Sequence, residues 1–202
     1  ETESFWPIAY GEAVDGELTG KKLNSIEGSQ KVPWGAWKKL HPDTQVLSYQ
    51  GSRTIGYDVY GDYHKNEETG IFPATNIDAR LDIKTNIIGI EVNGKHKAYP
   101  FYLFNKTAIV TDKFEGVNLL VYRNNDTGII KVYDRQVGGV VIDFEKNKSD
   151  TTDSVTNTTW DLENGVSIKG NLAGKALLPV NFLSVYWFVW ADYFHDTEVF
   201  GN

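Results

Sequence analysis

The strongest constraint on this chain is that its sequence repeats itself. Residues 3–47 recur as residues 157–200, with Trp6 matching Trp160 at an offset of 154 and Trp34 matching Trp187 at an offset of 153. The matching residues are Trp6, Gly11, Gly16, Leu18, Gly20, Lys21 and Leu23 with Trp160, Gly165, Gly170, Leu172, Gly174, Lys175 and Leu177, then Trp34, Trp37, Asp43, Thr44 and Val46 with Trp187, Trp190, Asp196, Thr197 and Val199. Twelve identities in one register exceed chance. Any fold must therefore accommodate two similar modules.

Each copy predicts the same small module. Glycines punctuate a pair of short strands, and a short helix follows that carries two tryptophans three positions apart. This spacing places both rings on one helix face, which we expect to be buried, although stacking on a sugar is the alternative. Pro33 suits the first position of the first helix, and Ser184 suits the N-cap of the second. An Asp-Thr pair then turns the chain into a last strand.

The middle of the chain predicts an antiparallel sheet. The runs Ile87–Val92 and Lys95–Tyr99 flank Asn93-Gly94, the strongest short signal for a hairpin. Further strands are predicted at 117–122, 129–133 and 140–144. The polar stretch 146–159 predicts a solvated loop. The expected fold class is α+β, predominantly antiparallel β, with a β-meander of at least five strands and two short tryptophan-bearing helices.

Composition excludes several classes of partner. The 27 acidic and 20 basic side chains give a net charge of −7, which repels nucleic acid and anionic lipid. The longest apolar stretch, Leu177–Trp190, contains polar residues and is shorter than a membrane span requires. The chain has no cysteine, so it forms no disulfide and offers no thiolate. We expect no nucleic-acid partner, no membrane span and no cofactor, with calcium as the one alternative.

One loop carries side chains that suit ligand binding. The stretch from Gly56 onward contains tyrosines, two aspartates and a histidine. Such groups bind a cation or stack on a sugar, and the alternative is a packed surface loop. The candidate binding residues are Tyr57, Asp58, Tyr60, Asp62, Tyr63 and His64. Asp150 and Asp153 are a second candidate for calcium, although their loop lacks the glycine and the terminal glutamate of an EF-hand. No catalytic residue is predicted.

Four sequons for N-glycosylation occur in the chain. They begin at Asn105, Asn125, Asn147 and Asn157. Three of them fall in predicted turns or loops, where a glycan would fit. In a sequence this rich in asparagine and threonine, several sequons arise by chance. Their use therefore depends on whether the protein is exported.

A series of short motifs resembles one protein family. The motifs are Glu1–Trp6, Gly11–Ala13, Leu18–Leu23, Trp34–Trp37, His41–Thr44, Gly89–Lys95, Ala98–Pro100 and Tyr133–Arg135. Their order and spacing resemble the bacterial and archaeal domain of unknown function 3179 family over nearly the whole chain. The resemblance implies tandem units, each with a hairpin and meander followed by a tryptophan module, and it implies export.

On that pattern the chain begins in the middle of its first unit, and we expect a segment upstream of Glu1 to have been removed. The implied organisation is the back half of a first unit at 1–48, a connecting segment at 49–86 and a complete second unit at 87–202, all in one compact body. The second unit is divided into a meander at 87–145, a polar loop at 146–159 and a tryptophan module at 160–202. The family pattern also includes a Cys-Pro-x-Cys type segment, which suggests thiol redox or metal chemistry. The equivalent stretch here, Arg123–Asp126, has no cysteine.

Two functions of different classes stay open. The first is a noncatalytic exported binding or assembly module that self-associates through exposed strand edges. Its partner would be a protein, either the missing half-unit or another copy of the chain joined by strand addition. The second is a fragment or subunit of a redox or metal-dependent enzyme whose reactive segment lies outside this chain. We favour the first, with an extracellular or cell-surface location and the periplasm as the alternative.

Overall fold

The computed structural model describes residues 2–7, 9–24, 30–46, 60–69, 74–144 and 151–201. The helices are α1 (Trp34–Leu40), α2 (Trp187–Tyr193) and a 3₁₀ helix (Phe101–Asn105). The strands are β1 (Asn86–Val92), β2 (Lys95–Pro100), β3 (Ile109–Phe114), β4 (Val117–Arg123), β5 (Ile130–Asp134), β6 (Gln136–Val137), β7 (Val140–Val141), β8 (Thr159–Asp161), β9 (Val166–Lys169), β10 (Leu178–Pro179), β11 (Phe182–Tyr186) and β12 (Glu198–Val199). Almost all strand pairs are antiparallel within these ranges, so the predicted α+β, mostly antiparallel β class is confirmed.

The hairpin of β1 and β2 forms the centre of the first sheet. Asn93 and Gly94 adopt φ angles of 52° and 73°, and a two-residue turn of type I′ requires positive φ at both positions. The predicted hairpin at this place is confirmed. β11 pairs antiparallel with β1, and β12 pairs parallel with β2, so the strand order is β11-β1-β2-β12. The hairpin is thus flanked by strands from much later in the sequence.

The strands after the hairpin form a separate sheet. Its order is β10-β5-β4-β3, and β3 has no counterpart among the predicted strands. Asp112 and Lys113 interrupt the apolar pattern of β3 and hide it in the sequence. Of the predicted strand at 140–144, only Val140–Val141 pairs, with β6. The single five-stranded meander is therefore wrong, because the hairpin and β3–β5 belong to different sheets.

Three apolar clusters stack in layers. Neighbouring residues of a strand point to opposite faces, so Ile87 packs toward α2 while Ile88 packs toward the second sheet. In the same way, Leu119 of β4 faces the first sheet, and Leu120 faces Trp160 on the far side. The layers are α2, the first sheet, the second sheet and the segment around β8. The division of the chain into repeat units stays a prediction.

Both helices begin differently from the prediction. Ser184 lies within β11, where it is opposite Ile88 of β1, and is not the N-cap of α2. The N-cap of α2 is Tyr186, and Pro33 is the N-cap of α1 rather than its first residue. The sheet pairing of β11 outweighs the local preference of serine for a helix start, because the strand pairs with β1 along its whole length.

The polar stretch before β8 is less solvated than its composition predicts. Residues 145–150 lie outside the described part of the chain, but Asp153 and Thr158 are buried. The Asp153 carboxylate accepts hydrogen bonds from the amide of Val155 at 3.1 Å and from the indole Nε1 of Trp160 at 3.0 Å. The prediction of a solvated loop is therefore wrong for Asp153 and Thr158, because these donors satisfy the carboxylate in the interior, whereas Ser154, Val155 and Asn157 are exposed.

Candidate functional site

The two tryptophan modules close their helices with the same side-chain bond. Trp37 Nε1 donates to Thr44 Oγ1 at 2.9 Å, and Trp190 Nε1 donates to Thr197 Oγ1 at 2.8 Å. In each module the second tryptophan is thereby joined to the Asp-Thr turn that follows the helix. The threonine of that turn is a hydrogen-bond acceptor, which explains why this residue type stands there.

The strand pairs before the helices also share their bonds. The amide of Leu18 donates to Ser4 Oγ at 3.0 Å, and the amide of Leu172 donates to Thr158 Oγ1 at 3.0 Å. Ser and Thr carry equivalent hydroxyls, so the bond survives the difference in residue type. The described parts of both modules therefore adopt closely similar local structures.

The hairpin of the first sheet covers the tryptophans of the second module. The six-membered ring of Trp190 lies on the backbone of Gly89, where an added Cβ would overlap ring carbons. Trp187 is completely buried, and its Nε1 donates to the carbonyl of Asp78 at 2.8 Å. Ala98 of β2 completes the contact. In this module the tryptophan face is core, as the spacing predicts.

The strand that follows α2 joins the hairpin as well. Val199 is buried against Ala98, with which it is paired in register. Lys97 lies beside this pair, and its Nζ contacts Asp112 at 2.8 Å and Glu198 at 3.2 Å. Burial acts to lower the pKa of Lys97, but the two carboxylates raise the pKa above its ordinary value. Through Lys97, β2 is joined both to β12 and to β3 of the second sheet.

The tryptophan face of the first module is open by comparison. The exposed fraction of Trp34 is 50% and that of Val46 is 68%, and α1 contains no buried residue. The expectation that this face is buried is therefore wrong for the first copy. We call Trp34, Trp37 and Val46 the first tryptophan face, since they correspond to the buried trio of the second module.

The first module is attached to the second unit by other contacts. Gln30 Oε1 accepts a hydrogen bond from the amide of Ile130 at 2.7 Å. Tyr10 stacks on Tyr193 of α2 with ring centroids 5.6 Å apart and an interplanar angle of 21°. None of these residues belongs to the first tryptophan face. The module is therefore held in place while that face stays accessible.

The predicted binding loop lies only partly within the described residues. Tyr57 and Asp58 fall outside them. Tyr60, Asp62, Tyr63 and His64 form a turn beside the first sheet, and the rings of Tyr60 and Tyr63 meet edge to face at 6.3 Å. Their role in binding stays a prediction.

Two further residues join that turn from distant parts of the sequence. The Lys84 ammonium lies 3.8 Å from the ring centroid of Tyr63 and donates to the Tyr63 carbonyl and to Asn66 Oδ1. His64 Nδ1 is 2.9 Å from the hydroxyl of Tyr186, which lies in β11. Burial, and to a smaller extent Tyr186, raises the pKa of Tyr63. No local pattern identifies Lys84 or Tyr186, because only the fold brings them to this turn.

Three of the four sequons lie in described residues. The asparagines Asn105, Asn125 and Asn157 are exposed, and Asn147 lies outside the described part. The amide of Asn125 donates to the Phe104 carbonyl at 2.8 Å. Asn157 is exposed and has a backbone φ of 54°. Glycosylation at these sites stays a prediction.

At the second calcium candidate, the carboxylate of Asp153 already accepts hydrogen bonds from protein donors. Asp153 accepts its hydrogen bonds from its own loop, and Asp150 lies outside the described residues. Within the ranges that the structure describes, no three side chains of the metal-binding types converge. Calcium binding stays a prediction.

No helix in the described part of the chain has the length and apolar character that crossing a bilayer requires.

Comparison with known proteins gives one match. The model of a family described as "Protein of unknown function (DUF3179)" matches residues 1–197, which is nearly the whole chain and confirms the resemblance. Neither a curated protein nor a solved structure matches.

Proposed function

The chain belongs to the DUF3179 family of proteins of unknown function, and on that premise we propose that it is a noncatalytic, exported binding or assembly module. Its binding surface is the first tryptophan face. Its partner is a protein, and a second copy of the chain is the partner that the test below addresses. The segment of Gln45 and Val46 contributes by pairing with the partner as an added strand.

One contrast carries this proposal. Trp187 has an exposed fraction of 0%, whereas its counterpart Trp34 has an exposed fraction of 50%. Removing a large apolar side chain from water stabilises by about 1.5–3 kcal/mol. A contiguous group of such side chains on a surface is typical of a protein interface. The exposed apolar side chains of the first module are therefore available to bind a partner, whereas their counterparts in the second module are buried inside the fold.

Charge supports a second copy as partner. Lys38 lies in the last turn of α1 on the side of the first tryptophan face, Lys39 lies on the opposite side of the helix, and the chain has a net charge of −7. An acidic surface of another copy would meet Lys38 favourably at the interface. Such a charge favours encounter and orientation more than it adds affinity.

The proposal also includes export and an internal duplication. The family resemblance supports export, and the exposed asparagines Asn105 and Asn157 would accommodate glycans in an exported protein. The hydrogen bonds that both modules share support the view that they are copies of one unit.

Light scattering coupled to size exclusion tests the assembly. We expect the mass of the native chain to rise above 22.7 kDa with increasing concentration. Val46→Lys places a charge on the first tryptophan face and should restore the monomer. Ile168→Lys is the matched control, because Ile168 is an exposed apolar residue of β9 outside that face, and it should assemble like the parent.

A chain that stays monomeric at millimolar concentration contradicts the proposal. Assembly that Val46→Lys leaves unchanged contradicts the assigned surface. Because Val46 is largely exposed, its substitution should leave the folded state intact, and circular dichroism of the variant verifies this.

A further inference from the structure

We infer that the first tryptophan face recognises a two-stranded β-hairpin with a glycine at the position that faces Trp37. The inference rests on the proposed function and specifies the chemistry of the partner. It commits to a hairpin carried by a separate polypeptide other than a second folded copy, because α2 covers the hairpin of each copy. Its basis is the second module, in which the hairpin of β1 and β2 covers the corresponding face.

The second module supplies the template for the contact. Its indoles rest on the hairpin of β1 and β2, and the closest approach is that of Trp190 to Gly89. Any side chain at Gly89 would occupy the volume of the indole ring. Trp37 has the same bond to the threonine of its turn as Trp190, so its indole is held for the same approach. A partner without glycine at this position cannot come as near.

The strand after the helix provides the second part of the template. Glu198 and Val199 add to β2 in parallel, opposite Lys97 and Ala98. Gln45 corresponds to Glu198, and Val46 corresponds to Val199. In the described part of the chain, neither Gln45 nor Val46 belongs to a strand. A partner hairpin would therefore pair with this segment in parallel and bury Val46 between the strands and the indoles.

The two modules differ in charge beside the helix, and this difference describes the partner further. Lys38 stands where the second module has Ala191, which is buried in the cluster beneath the hairpin, and Lys39 stands where it has Asp192. Asp192 accepts hydrogen bonds from Thr75 Oγ1 and from the amide of Asn76, both at 2.7 Å. A lysine offers donors instead of acceptors. The partner should therefore present a carboxylate or carbonyl to Lys38, where the hairpin of the second module packs on Ala191, and another to Lys39, where the second module presents donors.

A cyclised peptide with the sequence Asn86–Pro100 is a direct probe, because cyclisation stabilises a hairpin that is marginal when isolated. Added to the full-length chain, it can bind only a face that the chain's own hairpin leaves open. We expect it to bind, to shift the amide resonances of α1 and to dissociate the assembled chain into monomers. Binding should weaken by at least about tenfold when the peptide carries Gly89→Leu, since the added side chain overlaps the indole.

Two controls distinguish this contact from nonspecific hydrophobic binding. A peptide with Ile90→Thr should bind like the parent, because Ile90 faces away from α2 toward the second sheet. Peptides are used only after nuclear Overhauser contacts demonstrate the hairpin. On the protein side, Val46→Lys should abolish binding, and Ile168→Lys should leave it unchanged.

The outcomes also separate the inference from the proposed function. If a folded hairpin fails to bind, or if its Gly89→Leu form binds equally well, the inference is wrong. Should the chain still assemble in a manner that Val46→Lys prevents, the proposed function stands without it. If the chain neither assembles nor binds the hairpin, both are wrong.

Discussion

The indole of Trp190 rests on Gly89, a residue of β1 that has no side chain to hold it away. The contact joins α2 to the first sheet at its centre. It also makes Gly89 a position where even a methyl group forces the helix to shift.

Gly89→Ala is therefore expected to destabilise the protein. Overpacking in a filled core costs about 1–3 kcal/mol, and we expect a loss in this range in the free energy of unfolding. Urea titration followed by tryptophan fluorescence measures it. Gly35→Ala is the matched control: Gly35 lies in α1 with open space around it, and alanine is favoured over glycine in a helix by about 1 kcal/mol. An equal loss in both variants would contradict the role of the Trp190 contact.

Corresponding tryptophans of the two modules should contribute unequally to stability. Trp187→Ala removes a completely buried ring and is expected to cost about 3–5 kcal/mol in the free energy of unfolding. Trp34→Ala removes a half-exposed ring and should cost less than about 1 kcal/mol in the monomer. Chemical denaturation of both variants, at a concentration where the chain is monomeric, measures the difference. Equal costs would show that the first tryptophan face is covered within the chain.

The buried carboxylate of Asp153 predicts a pH dependence. Burial by itself would raise the pKa of Asp153, but hydrogen bonds from Trp160, Thr156 and Thr158 lower it below its ordinary value. The unfolded pKa is about 3.9, so this carboxylate stabilises the fold fully above that pH. Its contribution is lost as the pH falls through the lower native pKa. We expect this contribution to the free energy of unfolding to decrease as the pH falls below about 4.

Asp153→Asn isolates that contribution. The variant should lose about 1–3 kcal/mol at neutral pH, because an amide cannot accept the same set of donors. The difference between variant and parent should shrink below a pH of about 4. Asp82→Asn, at an exposed position, should instead follow the parent at every pH. Urea titrations at a series of pH values provide the measurement.

Lys84 is expected to order the turn that contains the predicted binding residues. Its ammonium bonds to Tyr63 and Asn66 hold residues 60–66 against the first sheet. Lys84→Met keeps the length of the side chain and removes these donors. Hydrogen exchange of the 60–66 amides should become faster, while exchange in β1 and β2 should stay as in the parent. Unchanged exchange in the turn would mean that other contacts hold it.

Glycosylation, seen as added mass, is a measurable consequence of the proposed export. The chain alone has a mass of 22.7 kDa, and the protein isolated from its natural source should be heavier by whole glycans. Asn157→Gln and Asn105→Gln should each remove one increment if their sequons are used. Intact mass spectrometry decides this, and a mass equal to that of the bare chain would contradict glycosylation.

Local signals in the sequence are sufficient for the hairpin but not for its surroundings. Asn93-Gly94 determines the turn through backbone angles alone, so the prediction succeeds there. β3 escapes prediction because Asp112, in its middle, is paired with Lys97 of another strand. Ser184 misleads for a similar reason, since its strand is stabilised by pairing with β1. In both cases the structure around a polar residue is determined by a partner that is distant in sequence and not by the local pattern.

The candidate site is harder to predict than the fold. Trp34 and Trp187 stand in matching sequence, yet one is exposed and the other is buried. The difference arises from the hairpin, which lies over α2 and not over α1. The helix sequences do differ, since Lys38 stands where the second module has the buried Ala191, but the matching tryptophans predict the same burial for both copies.

The position of β11 and β12 on either side of the hairpin has a consequence for biosynthesis. At typical ribosomal speeds, the roughly 100 residues between β2 and β12 take about 5–20 s to synthesise. For most of that time the nascent hairpin lacks β11, α2 and β12, which are synthesised last. The first sheet can therefore be completed only after β11, α2 and β12 have been synthesised. Substitutions in β12 should accordingly affect the yield of folded protein more than those in strands that pair with near neighbours.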